Sequence, residues 1–141
     1  MKRSFYLGLL LFLFPVLLSA QSTLFSQANK ADEKGNIDQA MSLYRQAIDK
    51  GDHVWQSWNN LAVHYRNKGD LTNALACVNN ALQAKPNNPS LFMTLGTIYK
   101  EGRQYQDARA AFSKAKELGR KGADIAIQQL DSMEKNDKSN K

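Results

Sequence analysis

The sequence predicts an all-α fold built from stacked helix–turn–helix units. Apolar residues recur at spacings of three and four, which is the period of an amphipathic helix. The same pattern of small and aromatic residues also returns at a period of 34 in the numbering. A fixed period of this length is typical of stacked units that share one continuous core. The matching columns are Leu24/Trp58/Phe92, Ala28/Ala62/Gly96, Ala31/Tyr65/Tyr99, Ala40/Ala74/Ala108, Tyr44/Val78/Phe112 and Ala47/Ala81/Ala115.

The first twenty residues have the order of an export signal. Lys2 and Arg3 give a basic start, residues 5–14 form an uninterrupted apolar run, and a short segment after Pro15 leads to the small residue Ala20. This order is typical of a secretory signal peptide, so we assign residues 1–20 to it and expect cleavage after Ala20. The apolar run is shorter than the roughly 20 residues that span a bilayer. An uncleaved membrane anchor over residues 5–20 is the alternative.

Composition and charge favour one globular domain. The chain has 141 residues, of which 43% are hydrophobic and 23% charged, which excludes wholesale disorder. The formal net charge is +6, and it falls to +4 when Lys2 and Arg3 are removed. A basic chain can bind nucleic acid, but an exported one rarely meets any, so we interpret the surplus as a solvated surface. Cys77 is the only cysteine, which excludes an internal disulfide and a cysteine-based metal site. We expect a half-buried apolar residue there; an intermolecular disulfide is the alternative.

Each repeat unit contains two predicted helices. We expect them at 22–34 and 38–50, at 55–67 and 71–84, and at 89–101 and 105–118. Gly35, Gly69 and Gly102 fall in the turns between paired helices, where the end of a helix commonly needs a left-handed residue. Asn36 and Asp70 are the predicted N-caps of the second helices, and Asn88 followed by Pro89 predicts the start of another helix.

These elements divide the rest of the chain into residues 21–54 as repeat 1, 55–88 as repeat 2 and 89–122 as repeat 3. A seventh helix over residues 123–135 has no partner helix. We expect it to cap the stack, because the last unit would otherwise expose an apolar end to water. Residues 136–141 are predicted to be a frayed polar tail. The stripe expected to cover the end consists of Ile125, Ala126, Gln129, Leu130 and Met133.

The residues of the second unit resemble the tetratricopeptide repeat. Its pattern W-x2-L-G-x2-Y, with later Ala, Phe and Pro, is matched by Trp58-x-x-Leu61-Ala62-x-x-Tyr65 with Gly69, Ala74, Ala81 and Pro86. The third copy matches about as well, through Phe92, Leu95, Gly96, Tyr99, Ala108, Phe112 and Ala115. The first copy is degenerate. The resemblance covers about residues 22–120 and implies a right-handed superhelical array of helix–turn–helix repeats.

The resemblance also implies a concave groove, lined by the first helices, that takes a peptide or a helix of another protein. The residues expected to contact this partner are Phe25, Asn29, Asn59, Asn60, Val63, Arg66, Met93, Thr97 and Lys100.

One branch of the family clamps a C-terminal carboxylate with two asparagines and three basic residues. Asn29 and Asn60 correspond to the asparagines, but Phe25, Ser90 and Thr94 stand at the basic positions and carry no charge. A carboxylate would lack its charged partners there, so that ligand class is disfavoured. Whether the two asparagines bind a peptide backbone or are only solvated stays open. Trp55 is similarly open: it either packs on the preceding helix or is an exposed anchor.

No pattern of catalytic or metal-binding residues is present. His53 and His64 are the only histidines, neither belongs to a motif with metal-ligand spacing, and His64 is expected at the surface or at an edge. The acidic Asp32, Glu33 and Asp107 are expected to be isolated surface residues. The sequence contains neither a phosphate-binding loop nor the motif of a nucleophilic serine. We therefore expect no enzyme, no cofactor, no metal and no small-molecule substrate.

The sequence as a whole predicts an exported protein-interaction module, in the periplasm or secreted, that binds another protein and no nucleic acid. The membrane is expected to matter only through the signal segment, if that is not cleaved. The alternative is a self-associating structural component of a cell-envelope assembly.

Overall fold

The computed structural model describes residues 22–139, so the expected signal segment lies outside the described residues. The described part forms seven α-helices, none of which is long and apolar enough to cross a bilayer. They are α1 (Leu24–Glu33), α2 (Ile37–Asp49), α3 (Val54–Asn67), α4 (Leu71–Ala84), α5 (Pro89–Glu101), α6 (Tyr105–Glu117) and α7 (Ala123–Ser139).

The seven helices form three consecutive hairpins and a final helix. α1 packs on α2, α3 on α4 and α5 on α6, and each later hairpin packs on the one before it. α7 packs on α6. The predicted all-α array of helix–turn–helix repeats is confirmed.

α7 extends further than predicted. It runs to Ser139 instead of ending at residue 135, and the expected frayed tail is therefore helical as far as the structure describes it. Asp137 is held by Arg103 and by the hydroxyl of Tyr105, and Lys138 pairs with Glu134 one turn earlier. These contacts hold the last turn of α7 in the helix instead of leaving it frayed in solvent.

Small residues allow the two helices of each hairpin to approach closely. Ala28, Ala62 and Gly96 occupy the same place in the three first helices, and all three are buried. A Cβ atom built on Gly96 would lie 2.5 Å from the ring of Phe112, which is itself 1% exposed. The third hairpin therefore has room for a phenylalanine in its second helix only because its first helix has a glycine.

The turns inside the hairpins confirm two of the three predicted glycine positions. Gly35 and Gly69 both have a φ of +76°. In the third turn, however, Gly102 has a φ of −76° and the left-handed residue is Arg103, with a φ of +58°. Arg103 lies one full period after Gly69, so the backbone keeps the period although the glycine does not.

The helix caps agree with the sequence in most places. The side chains of Asp70 and Asn88 accept hydrogen bonds from the backbone of α4 and α5, as predicted, and Thr23 caps α1 in the same way. Asn36 stands at the N-cap position of α2, but its side chain makes no capping hydrogen bond.

Cys77 lies in the apolar core and is buried, more deeply than the half-buried position that the sequence predicts. Burial raises the pKa of its thiol to about 11. Because the thiolate is the reactive species, this side chain is a poor candidate for the intermolecular disulfide that the sequence left open.

Replacing Gly96 by Ala is expected to destabilise the protein. Alanine favours a helix over glycine by about 1 kcal/mol, but the added methyl group must displace the ring of Phe112, and overpacking costs about 1–3 kcal/mol. We expect a net loss of about 1 kcal/mol in thermal or urea unfolding. In a Phe112→Leu background the same substitution should be neutral or stabilising. A Gly96→Ala protein more stable than the wild type would contradict the close contact.

Arg103→Gly is expected to stabilise the third turn. The left-handed conformation costs an L-residue about 1 kcal/mol that glycine does not lose, whereas the ion pair with Asp137 involves an arginine side chain that is 74% exposed, so it contributes little. Arg103→Ala is the matched control, because it loses the ion pair and keeps the strained backbone. Urea unfolding should rank glycine above arginine and alanine; a glycine variant no more stable than the alanine variant would refute the strain.

Candidate functional site

The first helices place all nine predicted groove residues at partly exposed positions. α1 contributes Phe25 and Asn29, whereas α3 and α5 contribute the rest. Partial exposure is what the wall of an open groove requires, because each side chain must contact both the fold and a ligand. The remaining residues are Asn59, Asn60, Val63, Arg66, Met93, Thr97 and Lys100.

A polar network joins the first two hairpins at one end of this face. The Tyr44 hydroxyl lies 2.7 Å from Asn29 Oδ1 and 3.1 Å from Asp32 Oδ2. His64 Nε2 lies 3.0 Å from the same Asp32 oxygen, and Asn60 Nδ2 lies 3.5 Å from Asn29 Oδ1. The two asparagines are therefore neither plain surface residues nor fully open to a ligand, because they hold each other and Tyr44.

His64 and Asp32 differ from the sequence-based expectation. His64 is only 7% exposed, so the prediction of a surface or edge residue is wrong, and Asp32 is not an isolated acid because it contacts His64 and Tyr44. The periodic columns contained the missing signal: His64 lies one period before Ile98, which is 1% exposed. A histidine at a buried position requires a polar partner, and Asp32 is that partner.

Burial raises the pKa of Tyr44 to about 12, and the nearby carboxylate of Asp32 adds to the rise. The ring of Tyr44 is 1% exposed and lies 6.1 Å from the ring of His64 and 5.9 Å from the ring of Phe25. The phenol therefore stays protonated over the whole physiological range and acts as a permanent hydrogen-bond donor.

The second and third hairpins are joined in the same manner. Thr94 Oγ1 donates to Asn59 Oδ1 at 2.9 Å, and Arg66 Nε lies 3.5 Å from Glu101 Oε1. Both contacts link α3 to α5. Two residues at predicted groove positions, Asn59 and Arg66, therefore connect α3 to α5 along this face.

The beginning of α1 is anchored to the turn that follows the first hairpin. The backbone amide of Phe25 donates to Asp52 Oδ2 at 2.8 Å, and the ring of Phe25 stacks on His53 with centroids 4.6 Å apart. The amide of Phe25, followed by the side chain of His53, lowers the pKa of Asp52. Trp55 is partly buried against the core, which favours packing over the exposed anchor that the sequence also allowed.

The described residues contain no group of three or more histidine, cysteine or acidic side chains that could hold a metal ion. A shallow cleft of about 290 Å³ lies on another side of α5, between Phe92, Leu95, Tyr99 and residues of α6, where the charged lining groups Asp107 and Lys114 are exposed. The face formed by α1, α3 and α5 is an open surface of partly exposed side chains.

Residues 25–89 match the family described as Tetratricopeptide repeat. Two curated relatives are named Photosystem I assembly protein Ycf3. The one from Prochlorococcus marinus is 35% identical over 50% of this chain and 39% of its own length. The one from a Synechococcus species is 31% identical over 64% of this chain and 48% of its own length. The chain therefore spans less than half of either relative.

A solved structure has the same fold. The crystal structure of the Sgt2 TPR domain from Aspergillus fumigatus superposes with a TM-score of 0.70 and covers 83% of this chain and 79% of its own. At 21% identity, the similarity concerns the fold alone.

Tyr44→Phe is expected to change how stability depends on pH. Below pH 10 the phenol is protonated in both the folded and the unfolded chain, so its stabilising effect is complete. Because the folded-state pKa is about 12, the unfolded chain loses the proton first as the pH rises above 10, and stability falls.

Between pH 9 and pH 12, the free energy of unfolding measured in urea should therefore decrease by about 2 kcal/mol more in the wild type than in Tyr44→Phe. Tyr99→Phe, at a partly exposed tyrosine, is the control and should retain the steeper fall. Parallel curves for wild type and Tyr44→Phe would show that the phenol is not held as described.

Proposed function

We propose that this chain, in which residues 25–89 match the tetratricopeptide repeat family, is a non-catalytic adaptor whose concave face, formed by α1, α3 and α5, binds a segment of another protein. The supporting observation is the set of cross-hairpin contacts: Asn60 to Asn29, Thr94 to Asn59 and Arg66 to Glu101. They hold the three first helices in a fixed spacing. A preformed surface loses little conformational entropy on binding, which favours docking of a peptide or helix.

The chemistry of the face argues for a polypeptide without a dominant charge. Val63, Met93 and Thr97 are uncharged and partly exposed, and Arg66 already has Glu101 as its ion partner. Phe25 stands where the carboxylate-clamping branch of the family has a basic residue. An internal segment of a partner therefore fits this face better than a free C-terminal carboxylate.

We further propose that the adaptor acts after export, either in the periplasm or outside the cell. The support is in the sequence: the basic Lys2 and Arg3, the apolar residues 5–14 and the small Ala20 form the order of a signal peptide. Retention of residues 5–20 would anchor the same adaptor to the membrane.

The names of the two curated relatives describe them as photosystem I assembly proteins. This agrees with a role in holding other proteins together during assembly. The chain spans less than half of those relatives. We therefore propose for it only the capacity to bind a protein, and no role in photosystem assembly.

Site-specific photo-cross-linking in the producing cells tests the adaptor. A diazirine-bearing amino acid at position 97 on α5 should give an adduct with a different protein, whereas the same group at position 83 on α4 should give none. Gln83 is exposed and lies on a second helix, so it is a matched control.

Val63→Asp should reduce the adduct at position 97 at least tenfold, because it replaces an apolar side chain of the proposed groove by a carboxylate. Adducts only with a second copy of the chain would support the self-associating alternative, and equal adducts at positions 83 and 97 would refute a concave binding face.

A further inference from the structure

The buried positions of α7 lie two residues earlier in the chain than the period of 34 would place them. In α3 the buried residues that face the preceding hairpin are Ser57 and His64, and in α5 they are Leu91 and Ile98. The members of each pair are two helical turns apart, and one full period separates the first pair from the second. In α7 the buried pair is Ala123 and Leu130, which falls two positions before the place that a further period would give it.

The side chains around this pair agree with the shorter spacing. Ala62 and Gly96 occupy the same place in α3 and α5, and each packs against the second helix of its own hairpin. With a spacing of 32 instead of 34, the residue of α7 at this place is Gln128. Gln128 is polar and exposed, as expected where the described chain supplies no second helix for α7 to pack on. Sequence period alone would have placed Leu130 in this column.

The shift changes which side of α7 faces solvent. Ile125 is 60% exposed and Met133 is 40% exposed, and among the described residues no other large hydrophobic side chains are exposed to this degree. The stripe predicted from the sequence to cover the apolar end therefore divides: Leu130 is buried, whereas Ile125 and Met133 are not. In the shortened spacing Ile125 corresponds to Met93, and Met133 to Glu101.

Lys100 lies on α5, two helical turns after Met93 and therefore on the same side of that helix. On α3 its counterpart Arg66 pairs with Glu101 of the following first helix. The residue that takes the place of Glu101 on α7 is Met133, which offers no charge. Within residues 22–139, Lys100 belongs to none of the ion pairs. Its ammonium group is therefore available to a carboxylate of a ligand.

We propose that α7 is the fourth wall of the concave groove, and that the C-terminal end of this groove, formed by Met93, Lys100, Ile125 and Met133, binds an amphipathic helix of the partner. The apolar side of that helix covers Ile125 and Met133, and an acidic side chain on it pairs with Lys100. This proposal rests on the proposed function, because it assigns the chemistry of the same partner.

Burial of exposed aliphatic and thioether side chains supplies the attraction, since removing apolar surface from water is favourable. The single lysine sets the orientation of the helix, because a charge pair near a surface contributes specificity more than affinity. At the opposite end of the groove, Asn29, Asp32 and Tyr44 bond to one another, and the ring of Phe25 is already stacked on His53.

The test places the diazirine-bearing amino acid at positions 125 and 133 of the full chain, with position 128 as the control on the same helix. Positions 125 and 133 should give adducts with the protein that is captured at position 97, and position 128 should not. Sequencing of the cross-linked peptides should find an amphipathic segment that carries an acidic residue.

Two substitutions provide the second readout. Ile125→Asp should reduce the adduct at position 97 at least tenfold, whereas Gln128→Asp should leave it unchanged. Both sites are exposed, and a circular dichroism melt confirms that both variants fold. Lys100→Glu should also weaken the adduct, and exchange of the partner's acidic residue for lysine should restore it.

The possible failures are distinguishable. An adduct at position 97 without adducts at 125 and 133, or an Ile125→Asp variant with unchanged capture, would overturn the fourth wall and leave the adaptor intact. An adduct at 125 without one at 97 would overturn both proposals. A second copy of this chain captured at 125 would show that α7 is a self-association surface and would also overturn the proposed partner helix.

Discussion

The structure depends on how closely the two helices of each hairpin approach. Ala28, Ala62 and Gly96 are the points of contact, and the 2.5 Å separation between a Cβ placed on Gly96 and the ring of Phe112 shows how little space remains. Because a small residue allows the same close approach in each hairpin, the three hairpins have similar geometry. Similar hairpins that stack in one direction bring their first helices onto a single face, which is the face proposed to bind.

Most of the fold could be predicted from the sequence because burial repeats with the chain. The period predicted the six paired helices, with errors of a turn or less at their ends. Larger errors arose where residue type and period disagreed. Gly102 suggested the left-handed position, but Arg103 has it, one period after Gly69. His64 suggested a surface position, but its column is buried. In both cases the packing of the whole repeat unit, and not the preference of the single residue type, determined the conformation or the burial at that position.

The candidate site could be predicted less completely. The period indicates which residues lie on the first helices, and all nine are partly exposed there. It does not indicate which of them bond to one another, because the contacts of Asn29 with Tyr44 and of Asn59 with Thr94 depend on the distances between neighbouring helices. The register of α7 was beyond prediction for a related reason. No second helix completes a hairpin with α7 in the described residues, so the repeat period does not fix its rotation about its own axis. Instead, Leu130 sets its position by packing against Phe112 and Ala108.

The internal bonding of the groove determines where its affinity must arise. A side chain that already has a partner gains little from a ligand, because one hydrogen bond only replaces another. Asn29, Asn60 and Asp32 are in that position. Apolar groups that are exposed in the free protein gain from any cover. Among the described residues, the large apolar groups of this kind are Ile125 and Met133 on α7. In the proposed complex, the polar end holds the first two hairpins together, while the apolar end contributes most of the binding free energy. The proposed direction of the partner along the groove follows from that division.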